Sequence, residues 1–373
     1  MKPVTSLLAR SRTTPPPSGV EVRIVDPRTD PEPTGWSRFR KTTAWQPMWD
    51  YEQLRLESWL SRNPTVLGVV SKAGSVLGAC LAMVCTPWRG SEFGPPRRRG
   101  LSPGWAEVYL PWFSGHSAAV FVERVDDAQR RELLRSFERA LAAHVGIGLL
   151  GVVYRAMPVE VADAAAGPGR AVREIDPTTV LVNRWESVDD WLTSLRPPMR
   201  ALVAEAAETA STLDVMVGAG RTDLDAAELA GLLNRHRARQ DAKAWESGQR
   251  ARIAGLHLDT RSPIPTAYLD AFVRKPNVVT RTYRDGTGRL VAFSLLLDDK
   301  RGVALPYYAA LPVADGGRPR LYADVYAQCV RHLVEHQRPE LTAGRTLLDL
   351  KTGFGFTTRT LTSIAVPRPV MGR

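Results

Sequence analysis

One order of elements occurs twice in this chain, and it restricts the fold more than any other feature. In the second copy, Val278-Val279-Thr280-Arg281-Thr282-Tyr283 alternates and is β-branched, Arg284 to Gly288 carries turn glycines, and Leu290 to Leu297 returns as an apolar run. That is a hairpin. A third strand, Val303 to Leu311, leads to a loop from Pro312 to Arg320 and then to a helix from Leu321 to Gln337, with Leu321, Val325, Cys329 and Leu333 on one stripe. Thr346 to Leu350 reads as a fourth strand, running into Lys351-Thr352-Gly353-Phe354-Gly355. In the first copy, Val66 to Met83 forms the hairpin around Lys72-Ala73-Gly74-Ser75, and Trp105 to Trp112, Asp126 to Val145 and Leu149 to Arg155 supply strand, helix and strand in the same order. Tandem duplication of an α/β unit with mixed sheets accounts for this order, although hairpin-strand-helix-strand is common enough to recur by chance.

Composition sets outer limits. At 373 residues, 44% hydrophobic and 24% charged, the chain has the size and content of two globular domains. No run approaches the roughly 20 apolar residues that span a bilayer, and Leu7-Leu8-Ala9 is too short for a signal peptide, so a cytoplasmic protein without membrane partners is expected. Cys80, Cys85 and Cys329 sit in apolar patterns with neither CxxC nor paired histidines, which makes disulfide and zinc readings poor. The net charge of +11 fits a polyanion partner, or equally an arginine-rich but ordinary surface, since only Arg97-Arg98-Arg99 is clustered. Residues 1–19, with Pro15-Pro16-Pro17, read as a disordered arm. The two copies then occupy 20–177 and 178–373, the latter with a helical insertion at about 187–275.

Several side chains are candidates for chemistry. Gly316, Gly317, Arg318 and Arg320 precede a helix, where backbone N–H groups, the helix dipole and two guanidinium groups would attract a phosphate. Tyr307 and Tyr308 lie on the third strand, where successive residues face opposite ways, so one of them belongs to the core. Asp349 and Lys351 share a face of the expected fourth strand, either at an inner site or as a solvent-facing ion pair. His116 follows a glycine in a loop and is an acid-base candidate or a surface histidine. His332 and His336 are one helical turn apart but have no third ligand in register, so no metal is expected.

The join between the copies carries a resemblance. Thr179 to Trp185 reads as a strand, Ser187 as the N-cap of a helix with Asp189 and Asp190 in its first turn, and Trp191-Leu192-Thr193-Ser194-Leu195-Arg196 is followed by Arg200-Ala201-Leu202. This pattern resembles the joint of tandem Gcn5-related N-acetyltransferase (GNAT) proteins of the Fem-like class, from about Val20 to the end. The resemblance implies an acyltransferase with the donor in the second copy, taking an aminoacyl group from aminoacyl-tRNA and passing it to an amine or hydroxyl of a small molecule in a biosynthetic pathway. It implies tRNA contacts at Arg196, Arg200, Arg235, Arg237 and Lys243, and an acceptor site among Trp45, Trp49, Tyr109 and Trp112. The co-substrate would be charged tRNA, without a bound cofactor. The alternatives are an acyl-CoA-dependent N-acyltransferase and, third, a non-catalytic basic binding module. The Gln/Arg-x-x-Gly-x-Gly loop of CoA-dependent members is absent before Leu321; Arg97 to Gly100 and Arg252 to Gly255 match half of it at the wrong places. The family's closing basic residue stands here as Arg359.

Overall fold

The computed structural model describes residues 19–43, 45–86, 103–113, 115–246 and 262–373. Most of the N-terminal arm, the Arg97 to Arg99 cluster and the Arg252 to Gly255 segment lie outside them. The first half runs β1 (Val20–Val25), α1 (Trp36–Arg40), α2 (Tyr51–Leu60), β2 (Thr65–Lys72), β3 (Ser75–Cys85), β4 (Gly104–Val108), β5 (Ala119–Phe121), α3 (Asp127–Val145), β6 (Leu149–Pro158), α4 (Val159–Ala165) and β7 (Ala171–Val182). The second runs α5 (Val188–Ser194), α6 (Pro197–Ser211), β8 (Asp214–Ala219), α7 (Ala226–Glu246), α8 (Thr266–Val273), β9 (Val278–Arg284), β10 (Leu290–Asp299), β11 (Gly302–Ala310), α9 (Leu321–Glu335), β12 (Glu340–Thr342), α10 (Leu348–Gly353) and β13 (Thr357–Pro367).

Local sequence explains many of these boundaries. Ala73 and Gly74 both adopt positive φ between the paired ends Lys72 and Ser75, the geometry of a two-residue hairpin turn. Asp285 organises the other hairpin by accepting hydrogen bonds from the backbone of Thr287 and Arg289. Asp126 with Gln129, and Ser187 with Asp190, close capping boxes at α3 and α5. Gly68 leaves room for the Phe137 ring of α3, which a Cβ would strike.

The strands form one mixed sheet in the order β1-β2-β3-β4-β6-β13-β7-β12-β11-β10-β9-β8, with β5 paired to β3 at the side. The two mixed sheets expected from the sequence are instead halves of one continuous sheet. The order is palindromic: β1 answers β8, the β2–β3 hairpin answers β9–β10, the parallel pair β4 and β6 answers β11 and β12, and β7 answers β13. The final strands are exchanged. β7 leaves the first half to pair with β12, and β13 returns to pair with β6, so the two strands lie side by side at the centre.

Within this symmetry, β8, α7 and α8 hold the places of β1, α1 and α2, so only α5 and α6 of the segment at about 187–275 are additional. One difference from the sequence reading is local. The fourth strand is Glu340–Thr342, and the stretch that carries Asp349 and Lys351 is the short helix α10. Apolar side chains gather in two main clusters. In the second half, Ala304, Tyr307 and Ala309 of β11 face the cluster shared with α7, α8 and the first half, while Val303 and Ala310 face α5, α6 and α9.

Candidate functional site

The two parallel pairs differ in how far they stay together. β4 pairs with β6 from Gly104 to Val108, its whole length. β12 pairs with β11 only at Val303 and Ala304, while β11 continues to Ala310. Leu305 to Ala310 therefore forms one wall of a wedge whose other lip is the chain after Thr342, anchored to β7 by reciprocal hydrogen bonds between Ala343, Gly344 and Thr179.

Lys351 enters this wedge from α10. Its side chain is fully buried, and its ammonium nitrogen donates to the carbonyls of Ala343 and Gly344 and lies 5.6 Å from the Tyr326 ring centre. Burial lowers its pKa to about 8. Tyr308 is half-buried on the same side of β11, and burial raises its phenol pKa. At the end of the strand, the His236 ring stands edge-on to Tyr308 with centroids 5.7 Å apart, and Arg239 donates to the Ala310 carbonyl at 2.7 Å. Burial, joined by the charge of Arg239 and opposed by the hydrogen bond to the Ala310 backbone, lowers the pKa of His236.

The glycine loop above the wedge satisfies itself. The backbone N–H groups of Asp315, Gly316 and Gly317 donate to the carbonyls of Pro312 and Val313, and Arg318 donates to the Gly316 carbonyl. A Cβ at Gly317 would run into the Leu311 carbonyl, so this tight turn requires glycine. Arg320 starts α9 with positive φ and forms an ion pair with Glu205 of α6. The first turn of α9 contains its own buried carboxylate, Asp324, which accepts from the Tyr283 hydroxyl at 2.6 Å. That charge already faces the positive end of the helix dipole.

No family model matches the sequence, and no curated protein matches it. Solved structures do. FemX aligns over 90% of this chain and 96% of its own with a TM-score of 0.54 at 10% identity. The fold is a tandem GNAT fold. L-PGS from Bacillus licheniformis (TM-score 0.49, 10% identity, 92% and 98% covered) and a tandem GNAT protein from the clavulanic acid biosynthesis pathway (0.47, 11%, 93% and 98%) also match. The likeness of fold to FemX covers both halves and the joint between them.

The tandem GNAT fold separates residues that the sequence grouped together. Lys351 lies against Tyr326 of α9, and Tyr308 faces the same cluster from β11, whereas Tyr307 turns to the opposite face, where its hydroxyl donates to the Trp112 carbonyl. Asp349 is exposed and does not share the buried environment of Lys351, because both lie on a helix. His116 is stacked on Phe113 at 4.0 Å and edge-on to Trp45 at 5.1 Å; burial, then the nearby Arg359, lowers its pKa to about 3. It is neutral at physiological pH. Arg359 forms a two-pronged pair with Glu340 at 2.6 and 3.1 Å.

Among the aromatic candidates, Trp49 is a core residue whose carbonyl accepts from Trp36, and Trp45 is half-buried. Tyr109 and Trp112 follow β4 at the seam between the halves, where Arg155 stacks on the Tyr109 ring at 4.9 Å and pairs with buried Glu107 at 2.8 Å. The basic helix positions divide as well. Arg196 and Arg200 are exposed on α6, which packs beside α9, while Arg235 and Lys243 are exposed and Arg237 half-buried on α7, on the other face of the sheet. They flank the wedge from both sides, α6 through the Arg320–Glu205 pair and α7 through the Arg239–Ala310 contact. The sequence reading missed His236, Arg155 and Glu107 as site residues; each gains its meaning from a partner more than 40 residues away.

Among the described residues, no helix is long and apolar enough to cross a membrane, and no group of three His, Cys, Asp or Glu could hold a metal.

Proposed function

We propose that the protein is an aminoacyltransferase that takes an aminoacyl group from charged tRNA and passes it to the amine of a small molecule, forming an amide. The observation that carries this reading is the glycine loop: the N–H groups of Asp315, Gly316 and Gly317 are engaged with loop carbonyls, and Asp324 lies in the first turn of α9. A coenzyme A pyrophosphate would not find the N–H groups of the two glycines free. An ester-linked aminoacyl end needs no such cradle. It needs the open edge of β11, with Arg318 and Arg320 as charged side chains beside the last phosphates and the α6 and α7 arginines outside them.

In this mechanism the acceptor amine attacks the ester carbonyl, the C–N bond forms as the C–O bond to the ribose breaks, and one proton moves from nitrogen to the departing oxygen. Lys351 is the residue suited to shuttle it. With two N–H bonds directed to Ala343 and Gly344, its neutral form has a lone pair to receive the proton and then return it, and a pKa near 8 balances both steps. Backbone N–H groups along the open edge of β11 would polarise the carbonyl. His116, with its lowered pKa, has no part in this proposal.

The test is turnover with charged tRNA and a panel of small amines. We expect RNase-sensitive transfer whose apparent affinity falls steeply with salt, in proportion to the phosphates neutralised. Loss of turnover on neutralising Arg196, Arg200, Arg235 and Arg237 together would follow from the same reading. RNase-resistant, saturable turnover with an acyl-CoA would replace it by acyl-CoA-dependent transfer.

A further inference from the structure

Three separate elements bring a guanidinium to the loop that follows β4. Arg155 of β6 lies over the Tyr109 ring, 4.9 Å from its centre, and pairs with Glu107 at 2.8 Å. Glu107 is 5% exposed and also accepts from the Trp105 indole at 2.9 Å, which fixes the carboxylate and, through it, the arginine. The Arg155 side chain itself remains 40% exposed. Arg237 of α7 reaches the same loop from the second half: it donates to the Ser262 carbonyl, and the Ser262 hydroxyl accepts from the Trp112 indole. Arg345 comes from the lip of the wedge. It follows Gly344, whose carbonyl accepts from Thr179 and Lys351, and the neighbouring Thr178 hydroxyl stands beside Gly115 at the far end of the loop.

These cations act on one phenol. Burial raises the pKa of Tyr109, and the charges of Arg155, Arg345 and Arg237 oppose that rise. Glu107 brings a negative charge to the group, but Arg237 and Arg345 form no ion pair among the described residues. Gathering like charges in a half-buried seam costs both repulsion and hydration, and a bound anion reverses the cost. Guanidinium forks match a carboxylate or a phosphate in shape as well as charge.

The position of Arg345 says which anion this is. The arginines suited to the donor, Arg318 and Arg320, stand on the loop after β11, whereas Arg345 is on the other lip, next in the chain to the carbonyl that holds Lys351. We infer that the acceptor is an anionic amine, a small molecule carrying a carboxylate or phosphate besides its nucleophilic nitrogen, and that Arg155, Arg345 and Arg237 hold its anion beside Tyr109. The inference rests on reading the second wedge as the transfer site and names the class of molecule that enters it. Glu107 is a positioning residue, acting through Arg155.

The experiment titrates the full chain, labelled with fluorotyrosine and assigned at Tyr109 with Tyr109→Phe, with matched amines: β-alanine against propylamine, and O-phosphoethanolamine against ethanolamine. The fluorine resonance of Tyr109 should shift saturably with the anionic member of each pair and stay in place with the neutral one. Affinity should fall about 10- to 100-fold in Arg345→Gln, as expected for one lost charge-assisted contact. Arg345 forms no described ion pair, so this variant is the deciding one; Arg155→Gln, which leaves Glu107 buried without its arginine, is secondary. Equal shifts from neutral and anionic amines, no shift from any of them, or unchanged affinity in Arg345→Gln would overturn the inference. A shift given by uncharged tRNA and by none of the amines would also overturn it and assign the cluster to the donor. No tRNA is needed for the titration, so the two readings fail separately. Anion-dependent binding without transfer from charged tRNA removes the donor reading and leaves the site, whereas transfer to propylamine as fast as to β-alanine removes the anionic acceptor alone.

Discussion

The two halves repeat the same elements and end their parallel strands differently. In the first, β4 stays paired to its end, and the loop beyond it is filled by Phe113 stacked on His116 and by Trp112 packed on Tyr268 of the second half. In the second, β12 pairs with only two residues of β11, and the wedge that results holds a single buried amine, Lys351, with two carbonyls for company. Duplicating a fold duplicates its wedge; side-chain volume at the strand end then decides which copy remains open. The first copy has become a wall for the second.

The sharpest way to break this contrast is to remove chemistry from each half in turn. Lys351→Met should lower the rate of transfer by about 10²–10⁴, the usual contribution of a proton-transfer residue, while His116→Ala should change it by less than about threefold. Single-turnover rates with aminoacyl-tRNA and the amine measure both, and comparable losses would erase the distinction between an active and a closed half.

A second experiment addresses how the halves are joined. Glu138 of α3 is fully buried, accepts from Arg170 at 2.6 and 2.8 Å and from the backbone of Gly372 at 2.7 Å, and so ties the end of the chain to the first half. Glu138→Ala leaves Arg170 buried without its partner and should cost about 3–5 kcal/mol, read as a fall in thermal or urea midpoint. A small effect would mean that the exchanged strands hold the halves together without this clasp.

Donor binding gives the next smaller effect. Arg318→Ala with Arg320→Ala should weaken binding of charged tRNA about 10- to 100-fold, each removing one charge-assisted phosphate contact from an incompletely buried position. Unchanged affinity would move the donor away from the mouth of the second wedge.

The most diagnostic effect is on stability against pH, where the halves should slope oppositely. The pKa of Glu57 is raised from 4.5 to about 8 on folding, so the folded state binds the extra proton and stability falls as pH rises through that window. The pKa of Lys351 is lowered from 10.5 to about 8, so the unfolded state binds the extra proton and stability rises from pH 8 to 10.5, by at most about 3 kcal/mol. Unfolding free energies should lose the first limb in Glu57→Gln and the second in Lys351→Met. Retention of both limbs would mean that other groups set them.

What local sequence encodes was legible. The hairpin turns at Ala73-Gly74 and Asp285 to Gly288, the cap at Ser187 and the amphipathic stripe of α9 are decided within a few residues, where side chain and backbone of one segment interact. The repeat could therefore be read, and with it the fold. β13 was missed although Thr357 to Val366 is rich in β-branched residues, because its partners β6 and β7 are nearly two hundred residues away. Lys351 was singled out, but on a strand face shared with Asp349; on a helix, residues two apart point to roughly opposite sides, which buries the lysine and exposes the aspartate.

The sequence by itself thus determined the repeated unit, its turns and caps, and the stock of basic and aromatic side chains. The tertiary structure decided the exchange of β7 and β13, the meeting of α2 with α8 around Glu57, the division of the basic helices between two faces, and which wedge stayed open. Those outcomes depend on contacts between distant segments and on the removal of water from charged groups, and the energy of a buried lysine or glutamate is set by what surrounds it in space rather than by its neighbours in the chain.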